Sequence, residues 1–119
     1  MIGVDNKEEL LREARSRQLS NAEFRTYDLR RLPDLGIAAD GLWCSFTVAY
    51  FPELCTVLSA WAKNVASEGW IALTEIDNLF GHEPLSGRTK SLLSVYAEDA
   101  LAGGRYDFYM GRKLRDHLE

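Results

Sequence analysis

The sequence predicts an α/β fold, a mostly parallel sheet of about four strands with flanking helices and right-handed crossovers. Three observations lead there. Short apolar runs alternate with amphipathic stretches, giving the order strand, helix, strand, loop, strand, helix, strand, helix, helix. Several of those runs end in an acid, Asp5, Asp28 and Glu75 among them, as strands do when they deliver polar groups to one edge of a parallel sheet. Leu54, Val57, Leu58, Trp61, Ala62 and Val65 recur at i, i+3, i+4, i+7, i+8 and i+11, the clearest helical period in the chain.

Length and composition fit that class. The 119 residues form one expected domain, 1–119, with a single core. With 46% hydrophobic and 27% charged residues, the chain falls in the ordinary globular range, which argues against disorder or a fibrous repeat. No apolar stretch approaches the roughly 20 residues of a membrane span, and no basic segment followed by an apolar one opens the chain. A cytoplasmic protein without a membrane partner is expected.

Charge is uneven. Residues 1–31 carry seven basic and six acidic groups, residues 32–83 one and seven, and residues 84–119 six and five. A nucleic-acid partner calls for a basic stripe, because phosphate neutralisation supplies most of the affinity, and none is present. A small-molecule substrate suits the acidic middle better. Cys44 and Cys55 are too few for a disulfide framework and lie in apolar patterns, where a thiol is expected to behave as a small buried hydrophobe. With only His82 and His117 beside them, no metal-ligand spacing can be written.

Taken in order, Ile2-Gly3-Val4-Asp5 reads as a strand ending in an acid. Asn6 stands three residues before Glu9, a capping-box spacing, and opens a helix to about Gln18 with Leu10, Leu11, Ala14 and Leu19 on its apolar stripe. Residues 21–27 alternate as a short strand near a sheet edge, ending in Asp28. Residues 29–36 carry Pro33 and Gly36 and read as a loop with at most a helical turn. The run 41–48 reads as a strand buried on both faces. Pro52 then suits the first turn of a helix that Gly69 closes as its C′ residue. Residues 70–76 form another buried strand, and 78–86 a loop containing Gly81, His82 and Pro84. A third helix from about Arg88 to Ala102 stops at Gly103-Gly104, an aromatic patch follows at 106–110, and a last helical piece covers 112–118. Trp43, Trp61 and Trp70 are expected in the core.

Four of these features together resemble the class I S-adenosylmethionine-dependent methyltransferases, in particular the small-molecule branch that includes the ubiquinone and menaquinone biosynthetic methyltransferases. Ile2-Gly3-Val4-Asp5 is similar to that family's second strand, whose terminal acid holds the cofactor ribose. Phe24 to Pro33 is similar to the third-strand motif, in which the residue at Asp28 contacts the adenine amino group and the next backbone amide, here Leu29, contacts the ring. Asp40 to Phe46, continuing to Tyr50-Phe51-Pro52, is similar to the fourth-strand motif, where the residue at Phe46 lies near the adenine or the methionine part. Val65 to Glu75 is similar to the helix-turn-strand unit that follows. The resemblance covers residues 1–77 well and the remainder loosely. It implies a three-layer Rossmann-like fold, S-adenosyl-L-methionine as cofactor, and cofactor contacts at Asp5, Asn6, Asp28, Leu29 and Phe46.

The pattern departs from the family in one place. None of the nine glycines forms GxGxG or GxGxxG, so the glycine-rich loop that normally follows the first strand has no counterpart. By resemblance the chain starts at the second strand, and the family's sheet places the first strand between the second and the fourth. Its absence would open the middle of the sheet and leave two unpaired apolar edges. The expectation is an incomplete sheet, in an excerpt of a longer protein, in a repacked fold, or in an assembly where another chain fills the gap by dimerisation or strand exchange. The complete enzyme is expected to transfer a methyl group to a small molecule, and this chain alone to be inactive.

No catalytic residue is nominated, since methyl transfer relies mainly on holding the nucleophile in line with the sulfonium methyl. Tyr50 and His82 stand where a substrate would lie, at a strand end and in the loop after the last strand, although a polar loop residue is ordinarily just solvated. Two alternatives stay open. One is a non-catalytic interaction module that dimerises through exposed sheet edges. The other is a fragment of a nicotinamide-dependent Rossmann oxidoreductase, because an acid after the second strand fits a dinucleotide fold too.

Overall fold

The computed structural model describes residues 1–118. Four strands and four α-helices alternate as expected. They are β1 (Ile2–Asp5), α1 (Glu8–Ser16), β2 (Glu23–Thr26), β3 (Ala39–Ser45), α2 (Leu54–Trp61), β4 (Val65–Thr74), α3 (Gly87–Ala102) and α4 (Met110–Leu118), with 3₁₀ segments at Leu29–Leu35, Val48–Tyr50 and Ala62–Asn64.

The strands do not form one sheet. β1 pairs with β2 in parallel, Ile2 opposite Glu23 through Asp5 opposite Thr26, and β3 pairs with β4 in parallel, as two separate two-stranded sheets. The mixed, parallel α/β character stands, carried by these two small sheets.

The two halves differ in how much apolar surface they bury. Around the β3–β4 sheet, Cys44, Val48, Ala49, Phe51, Leu54, Leu58, Trp61 and Met110 form one core cluster. Trp61 is 1% exposed, packs edge-on against Phe51 with ring centroids 5.7 Å apart, and donates its indole N–H to the Leu29 carbonyl at 2.7 Å. That bond ties the 3₁₀ segment after β2 to α2. A second cluster joins Ala97 and Ala100 of α3 to Phe108. In the β1–α1–β2 unit only Leu11 is buried, and Leu10 and Leu19 of the expected stripe are exposed. Polar contacts do much of the docking there: Arg15 donates from Nε and Nη2 to the Phe24 carbonyl at 3.2 and 2.9 Å and from Nη1 to Glu8 at 2.5 Å.

Several local expectations are corrected. Asn6 does not cap α1. Asp5 accepts the Lys7 amide at 2.8 Å, which turns the chain so that Lys7 becomes the N-cap, without a side-chain capping bond, and the helix starts at Glu8. The 29–36 segment is more regular than a loop, because Asp28 caps it by accepting the Arg30 amide at 3.0 Å. The helix that was to run to Gly69 ends at Trp61 and a 3₁₀ turn, and Val65 already pairs with Ala39 in β4. Extended backbone there gains the ladder to β3, which outweighs the helical period of the side chains.

β4 also carries an offset. Ala39 pairs with Val65 but Gly41 with Trp70, so the stretch from Ala66 to Gly69 bulges out of register. Gly69 is inside the strand, not at a helix end. A Cβ on it would sit 2.8 Å from the Asp40 carbonyl oxygen, so the close backbone approach explains the glycine.

The β3–β4 sheet is covered on one face only. Leu42 and Leu73 point to the core, whereas Trp43 is 74% exposed and Trp70 56% exposed. Only Trp61 of the three tryptophans is a core residue. The continuous apolar runs suggested burial on both faces, but nothing in the described residues covers the second one. Cys44 lies in the core as expected, while Cys55 is exposed on α2.

Candidate functional site

Parallel pairing puts the carboxyl ends of neighbouring strands side by side, and the first candidate site is that edge of β1–β2. Asp5 ends β1 opposite Thr26, the Tyr27 amide donates to the Asp5 carbonyl at 2.8 Å, and Asp28 follows one residue later. The two acids therefore stand at the same edge of one sheet. Each is oriented by one carboxylate oxygen that accepts from the backbone amide two residues on, that of Lys7 for Asp5 and of Arg30 for Asp28. Leu29 opens the 3₁₀ segment, where helix geometry leaves an amide without an intrahelical acceptor. Asn6 is exposed beside Asp5.

The corresponding edge of β3–β4 carries the second group. Phe46 follows β3 with φ of 53°, a left-handed conformation uncommon for a non-glycine residue, and its ring is 56% exposed. Its amide is pinned to the Thr74 carbonyl at 2.8 Å, so the ladder to β4 fixes the turn that presents the ring. A buried thiol lies just before it: burial pushes the Cys44 thiol up to about 11, so this cysteine stays protonated and inert.

Beyond Phe46 the chain makes a 3₁₀ turn at Val48–Tyr50, and Glu75 holds that turn to the end of β4. Its Oε2 accepts the Ala49 amide at 3.2 Å, and its Oε1 accepts the Ile76 amide at 2.9 Å and the Tyr106 hydroxyl at 3.4 Å. Tyr106 stacks edge-on with the half-exposed Tyr50, centroids 4.7 Å apart. Burial and then the Glu75 charge push the Tyr106 phenol up to about 12, so it remains a hydrogen-bond donor through the neutral range. The segment after β4 is fastened to α4 and the loop before it by Asn78 N–H to the Phe108 carbonyl (2.9 Å), Gly111 N–H to the Ile76 carbonyl (3.1 Å) and Arg112 to Asp77 (2.7 Å).

The structure thus brings Asp5, Asn6, Asp28 and Leu29 together at one sheet edge and places Phe46 and Tyr50 at the edge of the other. His82 sits exposed in the loop before α3. Glu75 is legible in the sequence as a strand-end acid and Tyr106 as part of an aromatic patch, but nothing local joins them, because the pair is 31 residues apart and meets only through the path of the chain after β4. Among the described residues no group of three or more His, Cys, Asp or Glu side chains could hold a metal ion, and no helix is long and apolar enough to cross a membrane.

No protein-family model matches the chain, and no curated protein matches it at a significant level.

Proposed function

We propose that this chain is an S-adenosylmethionine-dependent methyltransferase-like domain whose β1–β2 edge binds the adenosine end of the cofactor. The observation that supports this is the placement of Asp5 and Asp28 at adjacent carboxyl ends of parallel strands, each with one carboxylate oxygen fixed by a backbone amide.

The chemistry of the donor set suits an adenosine. A carboxylate is an acceptor only, so Asp5 matches a pair of ribose hydroxyls and Asp28 an exocyclic amino group, while the Leu29 amide matches a ring nitrogen. Phe46 offers an apolar ring face of the kind that packs against a base or a thioether. The fit stops at the methionine end, since none of the glycines forms the usual loop. When bound, the cofactor supplies an electrophilic methyl on sulfur. The residues of this chain orient it: Asp5 and Asp28 fix the nucleoside, and Tyr50 with Tyr106 and Glu75 forms a hydrogen-bonding aromatic wall at the edge of the second sheet.

Calorimetric titration with S-adenosylhomocysteine tests this reading. Binding tighter than millimolar is expected, weakened about tenfold or more by Asp5→Ala and by Asp28→Ala, the scale of one lost charged hydrogen bond. Affinity no better than millimolar, or equal affinity in wild type and both variants, overturns it. Tighter binding of a nicotinamide dinucleotide would assign the edge to a dehydrogenase instead.

A second reading, an interaction module, is favoured by the exposure of Trp43 and Trp70 on one face of the β3–β4 sheet. Light scattering that finds a monomer at high protein concentration would count against self-association through that face.

A further inference from the structure

Cys55 and His117 are 62 residues apart in sequence, yet the Cys55 Sγ lies 3.2 Å from His117 Nδ1, where α2 and α4 meet. Cys55 is the exposed cysteine of the two. It lines a shallow depression of about 400 Å³ together with Thr56, Ser59, Ala60 and Lys63, so two hydroxyls and one ammonium surround the approach to the sulfur. His117 lines a second depression of about 290 Å³. The thiol is also the second residue of α2, whose first-turn amides receive no side-chain cap.

We propose that Cys55 and His117 form a reactive thiol–imidazole pair, a covalent modification site that takes up carboxylate-bearing small disulfides. None of Asp5, Asp28 or Phe46 takes part, so this site stands or falls apart from the adenosine reading.

The chemistry follows from the geometry. The thiolate, and not the thiol, attacks a disulfide. In the neutral imidazole tautomer with its proton on Nε2, Nδ1 accepts the Cys55 proton at hydrogen-bond distance. The sulfur then attacks one sulfur of the incoming disulfide. That S–S bond breaks, a mixed disulfide forms on Cys55, and the leaving thiolate takes the proton from His117. One disulfide is consumed for each one made, so the electrons balance without a further oxidant. Lys63 supplies the charge that favours a carboxylate in the depression, with the Thr56 hydroxyl beside it, while the Ser59 hydroxyl donates to the Cys55 carbonyl at 2.8 Å.

Among the other charged groups, Glu53 stands two residues before Cys55, Arg115 and Asp116 immediately precede His117, and Asp107 and Lys113 line the same depression as His117. Lys113 is held by Asp107 at 2.5 Å. Cys44 is the internal control, because it is 8% exposed within the core.

The test is incubation of the whole chain with oxidised glutathione at pH 7, the adduct being followed by intact mass. A single glutathionyl adduct is expected on wild type and on Cys44→Ser, and none on Cys55→Ser. His117→Ala and His117→Gln, confirmed as folded by circular dichroism, should react about tenfold more slowly at pH 7, because neither leaves a basic nitrogen 3.2 Å from the sulfur to take its proton. The deficit should shrink in alkaline buffer, where hydroxide takes the proton in place of the imidazole. Lys63→Ala should slow glutathione disulfide more than the uncharged disulfide of cysteamine with its amines acylated. Modification at Cys44 first, or rates and pH profiles of both His117 variants equal to wild type, would overturn the proposal. So would full activity in His117→Gln alone, which cannot take the proton.

Discussion

Trp70 lies against Gly41 of the neighbouring strand, so close that a Cβ on Gly41 would come within 2.1 Å of the indole ring. The two are register partners, and the contact is made on the open face of the β3–β4 sheet. Gly41→Ala must therefore push the ring aside. Because Trp70 is 56% exposed, it can yield into solvent, and the cost should stay near 1 kcal/mol, the low end of the range for overpacking a closed core. The expected result is a small loss in the denaturation midpoint with a clear change in tryptophan fluorescence that Trp70→Phe removes. A loss of several kcal/mol would mean that the indole is held rigidly.

Trp61 behaves differently, because it is buried and bonded. Trp61→Phe keeps the apolar ring against Phe51 but deprives the Leu29 carbonyl of its donor, and should cost about 2 to 4 kcal/mol, the smaller ring and the lost bond taken together. The 3₁₀ segment from Leu29 to Leu35 should loosen first, visible as faster amide exchange there than in α2. Equal exchange in both segments would show that the bond is dispensable.

Tyr106 gives a test at alkaline pH. Its phenol is raised by burial and then by Glu75, so the folded state favours the neutral form. That contribution is fully present below the ordinary tyrosine value of about 10 and is lost as pH rises through the folded value. In a phenolate absorbance titration one of the five tyrosines should ionise last, near the point of alkaline unfolding. Glu75→Gln should bring that ionisation down without restoring it fully, because burial, the larger cause, remains. A titration unchanged by Glu75→Gln would detach the carboxylate from the phenol.

At the acid end, Glu8 is the indicator. Hydrogen bonds from Thr26 and then Arg15 hold its carboxyl below the ordinary value, so its contribution is present above that value and disappears as pH falls through the folded one. With Leu11 as the lone buried residue of the β1–α1–β2 unit, this unit should open separately from the rest. Hydrogen exchange should find β1 and β2 amides about a hundredfold less protected than those of α2, with the gap widening below about pH 4. Thr26→Val should remove part of that pH dependence. Uniform protection across both sheets would refute the separate opening.

Much of this organisation is legible in the residues themselves. The strand and helix order follows from period and punctuation, Asp5 announces a strand end as an acid after an apolar run, and Asp28 does so at the close of an alternating stretch. What was not legible depended on neighbours. Trp43 and Trp70 look like core by type, but their exposure is set by what covers the sheet, which local patterning does not encode. Gly69 carries the signature of a helix end, yet the ladder to β3 claims Val65 first. Asn6 and Asp5 compete for the same helix start, and the acid wins through its own bond to Lys7. Glu75 with Tyr106, and Cys55 with His117, meet only once the chain has folded back across 31 and 62 residues.

The offset in β4 has a bearing on how this chain can change over time. Side chains along a strand alternate strictly, so adding or losing one residue between Trp70 and Thr74 would exchange Leu73 with Ala72 and turn a core leucine into water. Between Ala66 and Gly69 the backbone has already left the ladder, and the parity of the strand is reset there. That stretch is where the sheet can absorb a change of length, leaving the inward and outward sets of residues on either side as they are.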